Sequence, residues 1–311
     1  MKNSNWLSIQ GCLTGAFISS PWQGVQRHPS KEEIDSFEKK IQKKIAIVMT
    51  FLAWGTPEKL VPFPQAWCSM ISERGSLPMV TWEPWDQNVE CKEYRLNTIL
   101  SGQWDSYLRQ WADAIRAWGK PVLIRWGHEM NGTWYPWDGV HNDSDPVRYI
   151  KTFRYIVNLF RERKCANALW VWCPEMVLHL PRSDGPHDYT LYYPGDSFVD
   201  WIAFDGYNFG TVGERKDPWR SFDEIFGEAY QRMTTMAPAK PMMIAEFACG
   251  EGGGSKPQWI LETFKSIRRY PNIKAWLWFN ILKEAEWVVD SSAESLKAFQ
   301  KGISTTYYKT L

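Results

Sequence analysis

Short apolar runs alternate with amphipathic segments along the whole chain. The apolar runs have the length of buried strands and predict eight of them, at Cys12–Ser19, Ile45–Trp54, Leu77–Trp82, Pro121–His128, Ala168–Cys173, Val199–Phe204, Pro241–Phe247 and Ile273–Phe279. Most of the intervening segments have apolar residues at helical spacing. They predict seven helices, at Lys31–Gln42, Pro64–Arg74, Trp104–Trp118, Pro146–Arg163, Phe222–Thr235, Pro257–Arg268 and Ala293–Lys301.

This alternation predicts the fold class. Eight strands that alternate with helices indicate an α/β protein with a closed (β/α)8 TIM barrel, and 311 residues suit one such domain over residues 1–311. The alternative is an open, doubly wound sheet. That fold usually has a glycine-rich turn after its first strand, whereas here the first strand leads into Ser19-Ser20-Pro21-Trp22.

The stretch from Pro121 to Trp137 changes from apolar to polar at the end of the fourth predicted strand. Side chains alternate along a strand, so Arg125, Gly127 and Glu129 share one face, and the glycine leaves space beside Glu129. Polar and aromatic side chains at the carboxyl end of a barrel strand indicate a functional site. In this stretch they are Arg125, His128, Glu129, Asn131, Trp134, Tyr135 and Trp137.

Three interpretations of this stretch compete. Arg125 and Glu129 can form a buried ion pair with no further role, although desolvation makes such a pair a poor stabiliser. His128-Glu129 begins the zinc-binding pattern H-E-x-x-H, but Gly132 stands where the second histidine is needed, so we expect no metal. The third interpretation is carbohydrate chemistry, with a glutamate beside rings that stack on sugars.

At these residues the chain resembles glycoside hydrolase family 26. The motif consists of Arg125, His128-Glu129, Asn131-Gly132 and Trp134, which that family carries at the end of the fourth strand of a (β/α)8 barrel. The resemblance implies a retaining, endo-acting β-glycoside hydrolase that cleaves a polysaccharide by double displacement and needs no cofactor.

Hydrolysis of a glycosidic bond requires two carboxyl groups that flank the scissile bond. Glu129 and Glu246 follow the fourth and seventh strands, which lie opposite each other in an eight-stranded barrel. Glu83 and Glu175 also sit at strand ends, but their strands suit an opposed pair less well. The resemblance assigns the acid/base role to Glu129 and the nucleophile to Glu246.

The remaining site assignments come from the same resemblance and from the strand ends. Asp205 and Tyr207, two apart on the sixth strand, match family residues that position the nucleophile and the sugar. Trp278 is the best match to the tryptophan that floors the cleavage subsite. Arg125 is expected to keep Glu246 ionised. The other residues expected to bind substrate are His128, Trp134, Trp82 and Trp137.

Charge and composition limit the partners. Lys and Arg number 36 and Asp and Glu number 35, so electrostatics does not support a nucleic-acid or anionic-membrane partner, and we expect a monomer that binds a polysaccharide. The 20 tryptophans fit a groove for sugar rings as well as a core. The six cysteines form no C-x-x-C pair and indicate free thiols. The N-terminal segment lacks the apolar stretch of a signal peptide, so we expect secretion only if a signal has been removed, and otherwise a cytoplasmic protein.

Two features narrow the substrate without fixing it. The mannanases of the family, as the resemblance describes them, have an arginine directly after the tryptophan of strand eight, where this chain has Phe279. The aromatic cluster after Glu129 also differs from theirs. These departures leave β-mannan and mixed-linkage β-glucan as candidates, with β-1,3-xylan and a non-catalytic carbohydrate-binding barrel as alternatives.

The glycine-rich segment Gly250–Lys256 follows the seventh strand. It does not match the phosphate-binding pattern G-x-x-x-x-G-K-[ST], and Pro257 follows its lysine directly. We interpret it as a flexible loop at the rim of the barrel.

Overall fold

A computed structural model of the chain describes residues 6–19, 28–176, 185–212 and 217–311. All eight predicted strands are present, as β1 (Cys12–Ile18), β2 (Ile47–Ala53), β3 (Leu77–Glu83), β4 (Val122–Trp126), β5 (Ala168–Trp172), β6 (Trp201–Asn208), β7 (Met242–Cys249) and β8 (Ile273–Asn280). They form one sheet in chain order, and a parallel pairing of β8 with β1 closes it. The predicted (β/α)8 barrel is therefore confirmed.

The seven predicted helices are also present, with ends that differ by one or two residues. The helices are α1 (Lys31–Ile41), α2 (Gln65–Glu73), α3 (Leu96–Leu100), α4 (Asp105–Trp118), α5 (Pro146–Glu162), α6 (Phe222–Met236), α7 (Lys256–Ser266) and α8 (Ala293–Ile303). The sequence did not predict the short helix α3. In the long segment after β5, residues 185–192 contain two short 3-10 turns, and residues 177–184 lie outside the described part.

The starts of α1 and α6 follow from the sequence. Ser30 and Ser221 each precede a glutamate three residues later, and both pairs form a capping box in which serine and glutamate satisfy each other's backbone N–H. These bonds fix the point at which each helix leaves its loop.

The chain divides into two compact units by its internal contacts. The first unit includes Phe51–Ala203, and the second consists of Asn5–Thr50 together with Phe204–Leu311. The prediction that residues 1–311 act as one catalytic domain stays a prediction.

In both units, aromatic side chains fill the layer between strands and helices. In the first unit, Trp82 of β3 stacks on Trp111 of α4, with ring centroids 4.2 Å apart. In the second unit, Trp276 and Trp278 of β8 both pack edge-on against Phe299 of α8. Most of the tryptophans that the structure describes are buried, so the abundance of tryptophan is chiefly a property of the core.

The structure describes the state of the cysteines and the character of the helices. All six cysteines are free, and all except Cys91 are buried, which confirms the prediction of free thiols. Among the described residues, no helix combines the length and the apolar character that crossing a membrane requires.

Gly206 lies on β6 between Asp205 and Tyr207 and faces α6. A Cβ at this position would lie 2.9 Å from both Ile225 and Phe226. We therefore expect Gly206→Ala to lower the free energy of unfolding by about 1–3 kcal/mol, because overpacking forces the helix away from the strand. Urea denaturation measures this loss as a lower midpoint at unchanged slope. A midpoint equal to that of the wild type would show that α6 can move without cost.

Candidate active site

The chain turns sharply after β4, at the residues that the sequence singled out. Gly127 and Glu129 both have left-handed backbone conformations, with φ of +55° and +53°. Glycine adopts this conformation freely, whereas for a glutamate it is strained. The Glu129 N–H donates to the carbonyl of Cys173, at 2.8 Å, and so ties the strained residue to the end of β5. Strain held in place by a neighbouring strand is typical of functional sites.

The Glu129 carboxylate is held by an aromatic neighbour. Its Oε2 accepts a hydrogen bond from Nε1 of Trp134 at 2.7 Å. Glu129 is 8% exposed, whereas Trp134 is half-buried. The carboxyl group therefore has a fixed orientation, and the ring that fixes it keeps part of its surface open.

Arg125 brings a permanent positive charge into the end of β4. The residue has no exposed surface. Its Nε donates to Thr81 Oγ1 on β3 at 2.8 Å, and its guanidinium lies 5.3 Å from the centroid of the Phe51 ring. These contacts come from β3, the neighbouring strand, and from β2, the strand beyond it, so the barrel itself orients the arginine.

His128 is the centre of a small aromatic cluster. Its Nε2 lies 3.2 Å from the hydroxyl of Tyr135, and its backbone carbonyl accepts from Trp137 Nε1 at 2.7 Å. Tyr135 stacks on Trp137, with centroids 4.2 Å apart and planes at 11°. Tyr135 is half-buried, whereas Trp137 has no exposed surface. Trp137 thus fixes both residues, because it binds the backbone of His128 and packs on the ring of Tyr135.

Asn131 links the loop after β4 to the segment after β5. Its side-chain amide donates to the carbonyl of Glu175 at 2.8 Å and accepts from the Glu175 N–H at 2.9 Å. The side chain therefore replaces two backbone bonds and holds the two loops in register. This role explains the asparagine of the motif without contact to a substrate.

The second unit holds the other predicted glutamate. Glu246 on β7 is 4% exposed, and its Oε2 accepts a hydrogen bond of 2.5 Å from the hydroxyl of Tyr207 on β6. The structure therefore supports the expected pairing of the tyrosine with this carboxylate. Asp205, two residues before Tyr207, is fully buried on the same face of β6.

Two further aromatic residues enclose Tyr207. Phe279 at the end of β8 meets its ring edge-on at 5.5 Å, and Trp287 lies at 5.1 Å. Phe279 also stacks on Phe17 of β1, with centroids 5.1 Å apart. Tyr207 is thus held on several sides while its hydroxyl points to Glu246.

The structure corrects three of the predicted sugar-binding tryptophans. Trp82, Trp137 and Trp278 have no exposed surface, and a ring that stacks on a sugar needs an open face. Trp82 and Trp278 point to the helices, and Trp278 donates its Nε1–H to the backbone carbonyl of Trp287 at 2.7 Å. These side chains build the scaffold, so the expectation that Trp278 floors a subsite is wrong.

Sequence reasoning also missed two residues. Tyr135 was seen only as part of an aromatic run, although its spacing from His128 carries the contact described above. Trp287 had no signal, because it follows β8 in an irregular segment whose path no periodicity predicts. Of the competing glutamates, Glu83 is 2% exposed and also accepts from an indole, Trp85 Nε1, but at 3.3 Å the bond is longer than those to Glu129 and Glu246. Glu175 is half-buried.

Glu129 follows β4 and Glu246 lies within β7, and each accepts a hydrogen bond from an aromatic side chain. Carboxyl groups of this kind at the ends of barrel strands are typical of glycoside hydrolases. Residues 72–259 match the model of glycosyl hydrolase family 26, and the chain belongs to that family.

Similar proteins include one that is named an endoglucanase and others that are named mannan endo-1,4-β-mannosidases. The chain is 37% identical over 286 residues to endoglucanase H of Acetivibrio thermocellus, which covers 91% of this chain and 30% of that protein. It is 33% identical over 158 residues to mannan endo-1,4-β-mannosidase A and B of Caldalkalibacillus mannanilyticus, covering 48% of this chain and 26% of that protein. The chain therefore spans less than a third of the length of these two relatives.

A solved structure supports the fold. The family 26 β-mannanase of Bacteroides ovatus superposes with a TM-score of 0.68 at 17% sequence identity, over 98% of this chain and 92% of that one.

We expect Trp134→Phe to lower the free energy of unfolding by about 1–3 kcal/mol, because it removes the indole donor from a buried carboxyl oxygen of Glu129. Trp118→Phe is the matched control. It removes an indole bond of 2.9 Å to the neutral hydroxyl of Ser69, for which about 0.5–1.5 kcal/mol is expected. Urea denaturation measures both losses. Equal losses would mean that the Glu129 carboxyl group gains no more from its indole donor than the hydroxyl of Ser69 does.

Proposed function

We propose that the chain is a retaining, endo-acting β-glycoside hydrolase that cleaves a cell-wall polysaccharide. The observation that carries the proposal is the hydrogen bond between Tyr207 and Glu246, because it fixes a carboxylate at the end of β7 in one orientation. The bond between Trp134 and Glu129 fixes a second carboxylate after β4. Family membership and the names of the relatives agree with this reaction.

In the first step of the proposed reaction, Glu246 acts as the nucleophile. Tyr207 holds Oε2, so Oε1 is the oxygen that attacks the anomeric carbon. The glycosidic bond breaks as the carbon–oxygen bond to Glu246 forms, and Glu129 donates its proton to the departing oxygen. The part of the polysaccharide that carries the new non-reducing end leaves at this stage, while the part that will carry the new reducing end stays bonded to Glu246.

The second step returns both glutamates to their starting state. Glu129, now a carboxylate, takes a proton from a water molecule whose oxygen attacks the anomeric carbon. The bond to Glu246 breaks, and the sugar is released with its original configuration. The expected roles of Arg125, His128 and Asp205 in holding the sugar or the nucleophile stay predictions.

Half-buried rings supply the sugar-binding surface in the proposal. Trp134 and Tyr135 keep part of their rings exposed beside Glu129. Aromatic faces bind the apolar faces of pyranose rings, and the hydrogen bond to Glu129 fixes the angle of Trp134. A sugar stacked on that ring would therefore be held at a defined distance from the acid.

For the substrate we favour mixed-linkage β-glucan over β-mannan. The relative that matches over most of the chain is named an endoglucanase, whereas the mannan-named relative above matches about half of it. The residue after Trp278 is Phe279, a neutral ring that stacks on Phe17 and contacts Tyr207 and offers no cation to a sugar. β-Mannan is the second candidate, because several relatives carry mannanase names.

The roles of the two glutamates predict different products with azide. We expect Glu129→Ala to lower turnover of polysaccharide about 10²- to 10⁴-fold, because general acid–base catalysis is lost. With an activated aryl β-glycoside, azide should then intercept the glycosyl-enzyme and yield the β-glycosyl azide. Glu246→Ala should instead yield the α-azide, because azide replaces the missing nucleophile directly. NMR of the anomeric proton distinguishes the two products.

The alanine variants of Glu83 and Glu175 serve as controls for this assignment. Both remove a carboxylate at a strand end, yet neither should give any glycosyl azide. An azide product from either of them would transfer the corresponding role to that residue.

The substrate is tested by reducing-sugar release from mixed-linkage β-glucan, β-mannan and β-1,3-xylan under identical conditions. We expect release from the glucan alone. Release from mannan alone would show that Phe279 does not exclude mannan, and release from xylan alone would favour the third activity of the family. Calorimetric binding without release of sugar, by a folded sample, would favour a carbohydrate-binding barrel.

A further inference from the structure

Lys256 occupies an unfavourable position for a lysine. It begins helix α7, where the partial positive charge of the helix dipole disfavours a cation. Its side chain has no exposed surface, and burial lowers its pKa to about 8, although the nearby carboxylate of Glu251 acts in the opposite direction. Neither helix stability nor solvation explains a lysine here, so its contacts need a separate explanation.

The ammonium group holds the segment that follows β8. Nζ of Lys256 donates to the backbone carbonyls of Glu286, at 2.7 Å, and Val288, at 2.9 Å. The carbonyl between them belongs to Trp287 and accepts from Trp278 Nε1 at 2.7 Å. Two side chains therefore bind three consecutive carbonyls in an irregular segment, whose own backbone pairing includes an isolated antiparallel bridge between Leu282 and Glu286.

The residue held in this way contacts the proposed catalytic machinery. The Trp287 ring is buried and lies 5.1 Å from the ring of Tyr207 and 4.9 Å from that of Phe209. Tyr207 in turn donates its hydroxyl to Glu246. A continuous series of contacts within the second unit thus runs from Lys256 through Trp287 and Tyr207 to Glu246.

We propose that Lys256 is a positioning residue for the nucleophile and acts through Trp287 and Tyr207. The proposal rests on the function proposed above for Glu246. Tyr207 directs Oε2 of the carboxylate, so a tilt of its ring changes the direction of Oε1, the attacking oxygen. Lys256 keeps Trp287 against the tyrosine and limits that tilt. The glycine-rich segment before Lys256 is thus followed by a residue that anchors the site.

A double-mutant cycle tests this route. We expect Lys256→Met to lower kcat about 10-fold. This loss is smaller than the roughly 10²-fold loss that a 1 Å misplacement can cause, because Lys256 acts on the nucleophile only through two other residues. KM should change less than about twofold, because the variant leaves the sugar-binding rings in place. In a Tyr207→Phe background, the same substitution should lower kcat less than about twofold, since the link to Glu246 is already broken. Effects that multiply in the double variant would overturn the proposal.

Lys43→Met is the matched control. Lys43 is a half-buried lysine of the same unit that donates to the carbonyl of Ile303 at 3.0 Å, and it precedes β2, at the amino end of the strands. It should leave kcat unchanged. An equal loss of kcat in both variants would reduce the role of Lys256 to general stability.

Hydrogen exchange separates this proposal from the proposed function, because it needs no turnover. In Lys256→Met, we expect faster exchange of backbone amides in residues 281–290 and in β6, and no such change in Lys43→Met. If the wild type cut no polysaccharide, the proposed function would fail, while exchange would still show whether Lys256 holds Trp287 against Tyr207. Unchanged exchange in residues 281–290 would overturn the positioning role.

Discussion

The alternation of side chains along parallel strands governs both the core and the candidate site. On β6, Gly206 faces helix α6, whereas Asp205 and Tyr207 point the other way. Several of the side chains that face the helices are aromatic and pack against them, as Trp278 does. The opposite face carries the candidate functional residues, such as Asp205 and Tyr207, at the carboxyl end of the strand. A shift of one residue in any of these strands would exchange the two sets and remove the site together with the core.

The sequence predicted the fold well, because the strands follow from short-range patterns, whereas the roles of the site residues stay predictions. Eight apolar runs gave the eight strands, and a two-residue spacing correctly put Asp205 and Tyr207 on one face. The same rule, applied to β8, would have placed Trp278 on the side of Trp276, towards the helices. The motif match outweighed it and gave the wrong role. Trp287 was unpredictable, because its position depends on tertiary hydrogen bonds to an irregular segment.

A neutral aromatic donor holds the candidate glutamate of each unit. The indole of Trp134 binds Glu129, and the phenol of Tyr207 binds Glu246. A neutral donor fixes the direction of a carboxylate without placing a full positive charge beside it. Such a contact suits a group that must take up and release a proton in successive steps. The supporting rings are held in turn by buried residues, so orientation at the site depends on the packing behind it.

The left-handed backbone of Glu129 costs folding free energy at a residue that the proposed reaction needs. A non-glycine residue in this conformation carries about 1–3 kcal/mol of strain, which is a sizeable share of the about 5–15 kcal/mol that separates a folded domain from its unfolded chain. Glycine at this position would relax the backbone, but it would also remove the hydrogen bond from Trp134 and the proposed acid. Strain and hydrogen bond oppose each other in the free energy of unfolding, whereas the proposed turnover depends on the carboxyl group alone, so any thermostabilising screen of this protein has to select for turnover as well.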